Sequence, residues 1–115
     1  MSGISSHVLD TSRGKPAAGI DVVLEFNSGD IKAASWSQVG SGITNDDGRV
    51  PELCDGPVKP GHYRINFAVA GYFETLKLDS FYPVVRIEFT VADGEQHYHV
   101  PLLLNPFGYS TYRGS

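Results

Sequence analysis

The sequence predicts an all-β sandwich, and two observations support this prediction. Apolar and polar residues alternate with a period of two in several short runs, a pattern typical of half-buried strands. Groups of Gly, Pro, Asn and Asp separate these runs, and no long helical pattern lies between them. A length of 115 residues suits one domain around one core, so residues 1–115 are predicted to form a single domain.

The individual elements follow from the alternation. In the run 20–26, for example, the apolar residues share one face, while Asp21 and Glu25 share the other. A helix of about two turns is predicted near 71–77, where a short run between turn signals lacks this alternation. The predicted strands, in chain order, are 5–10, 20–26, 33–39, 64–69, 84–91, 97–104 and 108–113.

Composition excludes several classes of partner. The net charge is −4 and the Lys and Arg residues form no cluster, so we expect neither nucleic acid nor an anionic membrane as a partner. The apolar runs are too short for a transmembrane helix, and the first residues lack the pattern of a signal peptide. The single cysteine, Cys54, fits a reducing compartment and has no base near it in sequence. A cytoplasmic location is therefore expected.

Two histidines are candidates for chemistry near the end of the chain. His97 and His99 lie two residues apart on a predicted strand, so both imidazoles project from the same face. The opposite face carries Tyr98, Val100 and further apolar residues, which makes it the core side. The pair could be two solvent-facing side chains, part of a metal site or part of an active site. A zinc site would need at least one more ligand.

His7 and Arg49 are the other candidates. His7 lies in the first predicted strand, on the face opposite Val8. Arg49 follows an Asn-Asp-Asp-Gly turn, where an arginine is either a solvated charge or a planar group that grips an anionic or carbonyl-rich substrate. No serine lies in a Gly-x-Ser-x-Gly elbow. Histidines with arginines suit activation of a water on a polar heterocycle better than covalent catalysis.

Three segments together resemble the 5-hydroxyisourate hydrolase family, the transthyretin-related proteins of urate breakdown. The resemblance spans essentially the whole chain. The segments are Ser-His-Val-Leu-Asp-Thr-Ser-Arg-Gly-Lys-Pro-Ala at 6–17, Thr-Asn-Asp-Asp-Gly-Arg at 44–49, and His-Tyr-His-Val-Pro-Leu-Leu-Leu at 97–104 continuing to Tyr-Ser-Thr-Tyr-Arg-Gly-Ser at 109–115.

The resemblance implies a prealbumin-like sandwich of two four-stranded sheets with one short helix. It also implies a homotetramer, a dimer of dimers with active sites at the interface between dimers. Carried over by motif, the catalytic residues are His7, Arg49 and His99. The substrate-binding residues are His7, Arg49, Tyr112, Arg113, Gly114 and Ser115. His97 is a supporting group at most.

The activity implied is hydrolysis of 5-hydroxyisourate to 2-oxo-4-hydroxy-4-carboxy-5-ureidoimidazoline, without a metal or organic cofactor. His7 and His99 would orient and deprotonate a water that attacks the cyclic amide, and Arg49 would stabilise the charge that develops on the attacked oxygen. Which histidine takes the proton depends on tautomers that the sequence does not fix. Two alternatives stay open: a non-enzymatic transthyretin-like hormone carrier, and a structural β-sandwich module.

Overall fold

Strands dominate the computed structural model, which describes residues 2–114. The elements, in chain order, are β1 (Gly3–Asp10), β2 (Lys15–Pro16), β3 (Asp21–Asn27), β4 (Trp36–Ile43), β5 (Arg49–Asp55), β6 (Gly61–Phe67), α1 (Val69–Thr75), β7 (Val85–Val91), β8 (His97–Asn105) and β9 (Gly108–Thr111). No helix among the described residues is long and apolar enough to cross a membrane.

Two sheets face each other across the core, as the alternation predicts. The first has the order β2–β1–β8–β9, and β5 pairs with the same edge of β1 as β2 does. The second has the order β4–β3–β6–β7 and so contains the four strands predicted. The first sheet has a fifth strand only because the two residues of β2 extend the edge that β5 begins. The sandwich prediction is confirmed.

Strand β5 is an element that the alternation did not predict. Its two core residues, Val50 and Leu53, are three positions apart rather than two. The cause is a register shift opposite β1: Ile4 pairs with Cys54, but Ser6 pairs with Val50. Such a bulge breaks the period-two pattern on which strand prediction relies.

Other differences concern the ends of elements. The strand predicted over 33–39 lies at Trp36–Ile43, and the last strand ends at Thr111 rather than at 113. The strand predicted over 64–69 ends at Phe67, because Val69 begins α1 and packs into the core from the helix instead. The helix predicted near 71–77 therefore begins two residues earlier and ends at Thr75.

The centre of the first sheet is the pair β1 and β8, which run parallel. Ile4 lies opposite Tyr98 and Val8 opposite Leu102, and all four side chains are buried against the second sheet. Because side chains alternate along a strand, the residues between them project from the outer face. That outer face carries the histidines.

Hydrogen bonds around the buried carboxylate of Asp10 link helix α1 to the end of β1. The Tyr72 hydroxyl donates to Asp10 Oδ2 over 2.7 Å and accepts from Arg13 Nη1 over 3.1 Å. Ser12 donates to the other oxygen of Asp10 from its amide and from its hydroxyl. Burial first, and then the hydrogen bond to Asp10, raise the pKa of Tyr72 to about 12. Tyr72 is therefore neutral in the folded protein under physiological conditions.

Candidate active site

His7 and Arg49 are direct cross-strand neighbours. The antiparallel register of β1 and β5 places Arg49 opposite His7, so the two side chains lie on the same face of the sheet. The turn before Arg49 fixes this register. Asn45 Oδ1 accepts from the amides of Asp47 and Arg49, over 2.9 and 3.0 Å. The turn thus delivers the guanidinium to the face that carries His7.

Gly48 lets this turn approach β1. Its φ of +74° is in the left-handed region, and its carbonyl oxygen accepts from the Val8 amide over 2.7 Å. A side chain at this position would collide with the Val8 carbonyl oxygen. The glycine in the Asn-Asp-Asp-Gly turn is therefore a condition for placing Arg49 beside His7.

His97 and His99 share the outer face of β8, as the sequence predicts, while Tyr98 and Val100 are buried on the inner face. Both histidines are half-buried. In the parallel register, Ser5 of β1 lies opposite His99. The Ser5 hydroxyl oxygen is 2.8 Å from Nε2 of His97 and 2.8 Å from Nδ1 of His99. One serine therefore joins the two imidazoles.

Ser5 is a site residue that the sequence analysis did not single out. Its side chain is only 7% exposed, and it lies at the bulge where β5 changes register. Bulges re-aim side chains and occur often beside active sites. The sequence does contain one indication of this role: Ser5 lies two residues before His7, which places both side chains on the same face of β1.

The electrostatics of the site act mainly on His99. Burial lowers the pKa of His99 below its ordinary value, and the positive charge of Arg49 lowers it further, followed by the charges of His7 and His97. These effects show that the four side chains share one electrostatic environment. At neutral pH, His99 is a neutral imidazole, the form that can accept a proton.

The end of the chain lies against His99. Gly114 forms a bridge with His99, and its amide donates to the His99 carbonyl over 2.8 Å. A Cβ at Gly114 would be 2.6 Å from Cδ2 of the imidazole, which is closer than real Cβ contacts come. The main chain of the tail therefore covers one side of the ring, and only glycine fits there.

Arg113 turns to the other side of the sheet. Its guanidinium carbon is 4.4 Å above the centre of the Tyr98 ring, and Nη2 donates to Gln96 Oε1 over 2.9 Å. Tyr98 projects from the face opposite His99, so within the chain the arginine anchors the tail and does not reach the histidines. Its predicted role in binding substrate stays a prediction.

Tyr112 is 58% exposed and borders the same cavity as Arg113. This cavity has a volume of about 320 Å³, and its walls include Ile87, Phe89 and Val100. The structure therefore brings His7, Arg49, His99 and Gly114 together but leaves Tyr112 beside Arg113. Ser115 lies outside the described residues.

The remaining histidine and the cysteine lie apart from this site. His62 is in the second sheet, where it contacts Glu88 and Asn27. Cys54 lies on β5, and burial raises the pKa of its thiol, which disfavours the reactive thiolate. No three His, Cys, Asp or Glu side chains within residues 2–114 are grouped so that they could hold a metal ion.

Residues 4–114 match the HIUase/transthyretin family. The chain belongs to that family. A 5-hydroxyisourate hydrolase of Salmonella typhimurium is 47% identical over 113 residues, which cover 97% of this chain and 80% of that protein. The family resemblance found in the sequence is thereby confirmed.

Two solved structures, one of a hydrolase and one of a transthyretin, superpose on this chain about equally well. The 5-hydroxyisourate hydrolase of Klebsiella pneumoniae superposes with a TM-score of 0.83 at 32% identity, over 99% of this chain and all of that one. The transthyretin of Sparus aurata superposes with a TM-score of 0.87 at 26% identity, over 99% of this chain and 97% of that one. Fold similarity therefore does not separate the two branches of the family, and the site residues must do so.

Proposed function

We propose that this protein hydrolyses 5-hydroxyisourate to 2-oxo-4-hydroxy-4-carboxy-5-ureidoimidazoline. The observation that carries the proposal is the arrangement of His7, Arg49 and His99 on one face of the first sheet. The 47% identity to a protein named as this hydrolase supports it. A neutral imidazole beside an arginine provides a base and a stabiliser of negative charge in one place.

The reaction follows from these two groups. A histidine takes a proton from a water, and the water oxygen bonds to the amide carbonyl carbon of the substrate ring. Arg49 stabilises the negative charge that develops on the carbonyl oxygen. The carbon–nitrogen bond then breaks, the ring nitrogen receives the proton, and the new carboxylic acid ionises. The residues supply every proton transfer, so the proposal requires no metal or organic cofactor.

The tail and the assembly complete the proposal. Gly114 already lies on His99, and we assign Tyr112, Arg113, Gly114 and Ser115 to the wall of the substrate pocket. Arg49 is exposed in the single chain, although charge stabilisation works best where water is excluded. A homotetramer whose subunits cover this face would provide that exclusion. The unpaired cysteine and the acidic net charge are consistent with a cytoplasmic enzyme.

The test is direct. 5-Hydroxyisourate generated in place from urate by urate oxidase decays spontaneously, and the decay is followed by its ultraviolet absorbance with and without the protein. We expect strong acceleration. No acceleration over the spontaneous decay would contradict the proposal and would leave the hormone carrier as the better reading of this fold.

Two variants and a control sharpen this assay. His99→Ala and Arg49→Ala should each lower kcat/KM by about 10²- to 10³-fold or more while the protein stays folded. His62→Ala removes a histidine from the other sheet and should leave the rate unchanged. Sedimentation of the wild-type protein tests the tetramer independently of the reaction.

A further inference from the structure

A continuous chain of hydrogen bonds leads from the backbone to His99. The carbonyl oxygen of Ser2 is 3.2 Å from Nδ1 of His97, and Nε2 of the same ring is 2.8 Å from the Ser5 hydroxyl. The Ser5 hydroxyl is in turn 2.8 Å from Nδ1 of His99. Two strands and the segment before β1 contribute to this chain.

The direction of each bond follows from the first acceptor. A carbonyl oxygen can only accept, so Nδ1 of His97 carries the proton and, in the neutral ring, Nε2 is left as an acceptor. Ser5 therefore uses its one proton to donate to Nε2 of His97. Its oxygen must then accept from His99, which requires a proton on Nδ1 of that ring.

We propose that Ser2, His97 and Ser5 form a relay that holds neutral His99 as the Nδ1–H tautomer, with Nε2 free as the general base. The inference deepens the proposed function, on which its catalytic part rests. His97 and Ser5 are positioning residues in this scheme, because they act through His99. The relay addresses the question left open by the sequence, namely which histidine takes the proton: it assigns that role to His99 and places the accepting lone pair on Nε2.

The relay fits the chemistry of the site. Nε2 of His99 takes a proton from water, and the resulting imidazolium keeps its Nδ1–H bond to Ser5. The same Nε2 proton later passes to the leaving ring nitrogen, which restores the neutral tautomer. Burial and the charge of Arg49 lower the pKa of His99, so the neutral base predominates at pH 7.

Ser5 is well held for this task. It is 7% exposed, and β8 pairs with β1 along the whole length of β1. On the other side, the bulge leaves Ser5 without a register partner on β5, between the pairs formed by Ile4 and Ser6. A buried hydroxyl with a hydrogen-bond partner on each side orients its neighbours with little loss of entropy on reaction.

Imidazole nitrogen shifts test the tautomer without any substrate. The ¹⁵N-labelled wild-type protein is measured by long-range ¹H–¹⁵N correlation at a pH where His99 is neutral. In both His97 and His99, Nδ1 should be protonated and Nε2 unprotonated. An Nε2–H tautomer at His99 in the wild-type protein would overturn the relay. This measurement needs no variant, so a variant that fails to fold does not weaken it.

Variants test the causal order. Ser5→Ala removes the acceptor for Nδ1–H, so His99 should move toward the Nε2–H form that a free histidine side chain favours, and Ser5→Thr should restore the wild-type tautomer. His97→Phe frees the Ser5 proton to donate to His99, which should also produce the Nε2–H form. Ser6→Ala is the matched control, because that hydroxyl bonds the Val100 carbonyl on the opposite face. An unchanged His99 tautomer in Ser5→Ala and His97→Phe would refute the relay.

Kinetics then separate the relay from the proposed function. Ser5→Ala should lower kcat about 10- to 100-fold with little change in KM, a loss of the size typical for hydrogen-bond partners that orient metal-ligating histidines, and Ser5→Thr should recover most of it. If wild-type tautomers are as expected but 5-hydroxyisourate is not hydrolysed, the function is wrong and the relay stands. If hydrolysis is fast but Ser5→Ala leaves kcat unchanged, the relay has no catalytic role.

Discussion

The main chain of Gly114 lies beside the imidazole of His99, close enough that a Cβ would be 2.6 Å from Cδ2 of the ring. The same residue donates its amide to the His99 carbonyl. The tail therefore holds the strand and shields the ring at once. Position 114 therefore requires glycine, because any side chain there would collide with the ring.

Gly114→Ala should consequently impair catalysis. The added methyl group would push the tail or the imidazole aside, and misplacement by about 1 Å can lower a rate about 100-fold. We expect a fall in kcat/KM of that order with an unchanged circular dichroism spectrum. The matched control is Gly71→Ala in α1, where a Cβ meets no atom within 4 Å. Wild-type kcat/KM in Gly114→Ala would contradict the contact.

The pH profile should report the charge of Arg49. Because burial and Arg49 lower the pKa of His99, the acid limb of kcat/KM in the wild-type enzyme should lie below the ordinary histidine value of about 6.5. Arg49→Met removes a positive charge that disfavours the imidazolium, so His99 should protonate more easily and the acid limb should move to higher pH.

Arg86→Met is the charge-matched control for this experiment. Arg86 lies on β7 in the other sheet, where its Nε donates to Asn66 Oδ1 over 2.6 Å. Its loss should leave the acid limb in place. An acid limb that does not move in Arg49→Met, measured by kcat/KM across pH 5 to 8, would show that Arg49 does not act on the base.

Removal of residues 112–115 should abolish activity before it affects folding. The described part of this tail contributes one backbone hydrogen bond, the exposed Arg113–Gln96 hydrogen bond and the stacking of Arg113 on Tyr98, together worth about 1–3 kcal/mol. The protein should therefore stay folded, with Tm lowered by about 5–10 °C, while kcat/KM should fall more than about 100-fold. Arg113→Ala loosens the anchor but keeps Gly114, so its loss should be intermediate. Near-normal turnover in the truncated protein would refute a role for the tail.

The Asp10–Tyr72 bond should be visible in stability alone. Tyr72→Phe leaves one oxygen of a buried carboxylate without its partner and should lower the free energy of unfolding by about 1–3 kcal/mol. Turnover per folded molecule should not change, because the hydroxyl lies on the core side of β1. Denaturant titration and the rate assay measure the two effects separately.

Tyr72 also predicts an alkaline loss of stability. Its pKa is about 12 when folded and near 10 when unfolded, so the folded state holds the proton over that interval. The stabilisation is complete below pH 10 and is lost as the pH rises through 12, an effect on the order of 2 kcal/mol. The decline should be smaller in Tyr72→Phe. An identical decline in the variant would assign it to other groups.

Prediction from the sequence was most accurate where the alternation of apolar and polar residues within one strand was sufficient. The alternation placed His97 and His99 on the outer face of β8, and the structure agrees because the opposite face is continuously apolar. Prediction failed at β5, where a bulge spaces Val50 and Leu53 three apart. It also could not place Arg113, whose partners Tyr98 and Gln96 are distant in sequence.

The sequence by itself determined the fold class and the strand faces of His7, His97 and His99, because a period of two is a local property of the chain, and its motifs identified the family. Only the tertiary structure decided what lies across from each residue. Arg49 opposite His7, and Ser5 between His97 and His99, result from strand registers that join segments up to 94 residues apart. Those registers depend on burying two apolar sheet faces together, which no single segment encodes.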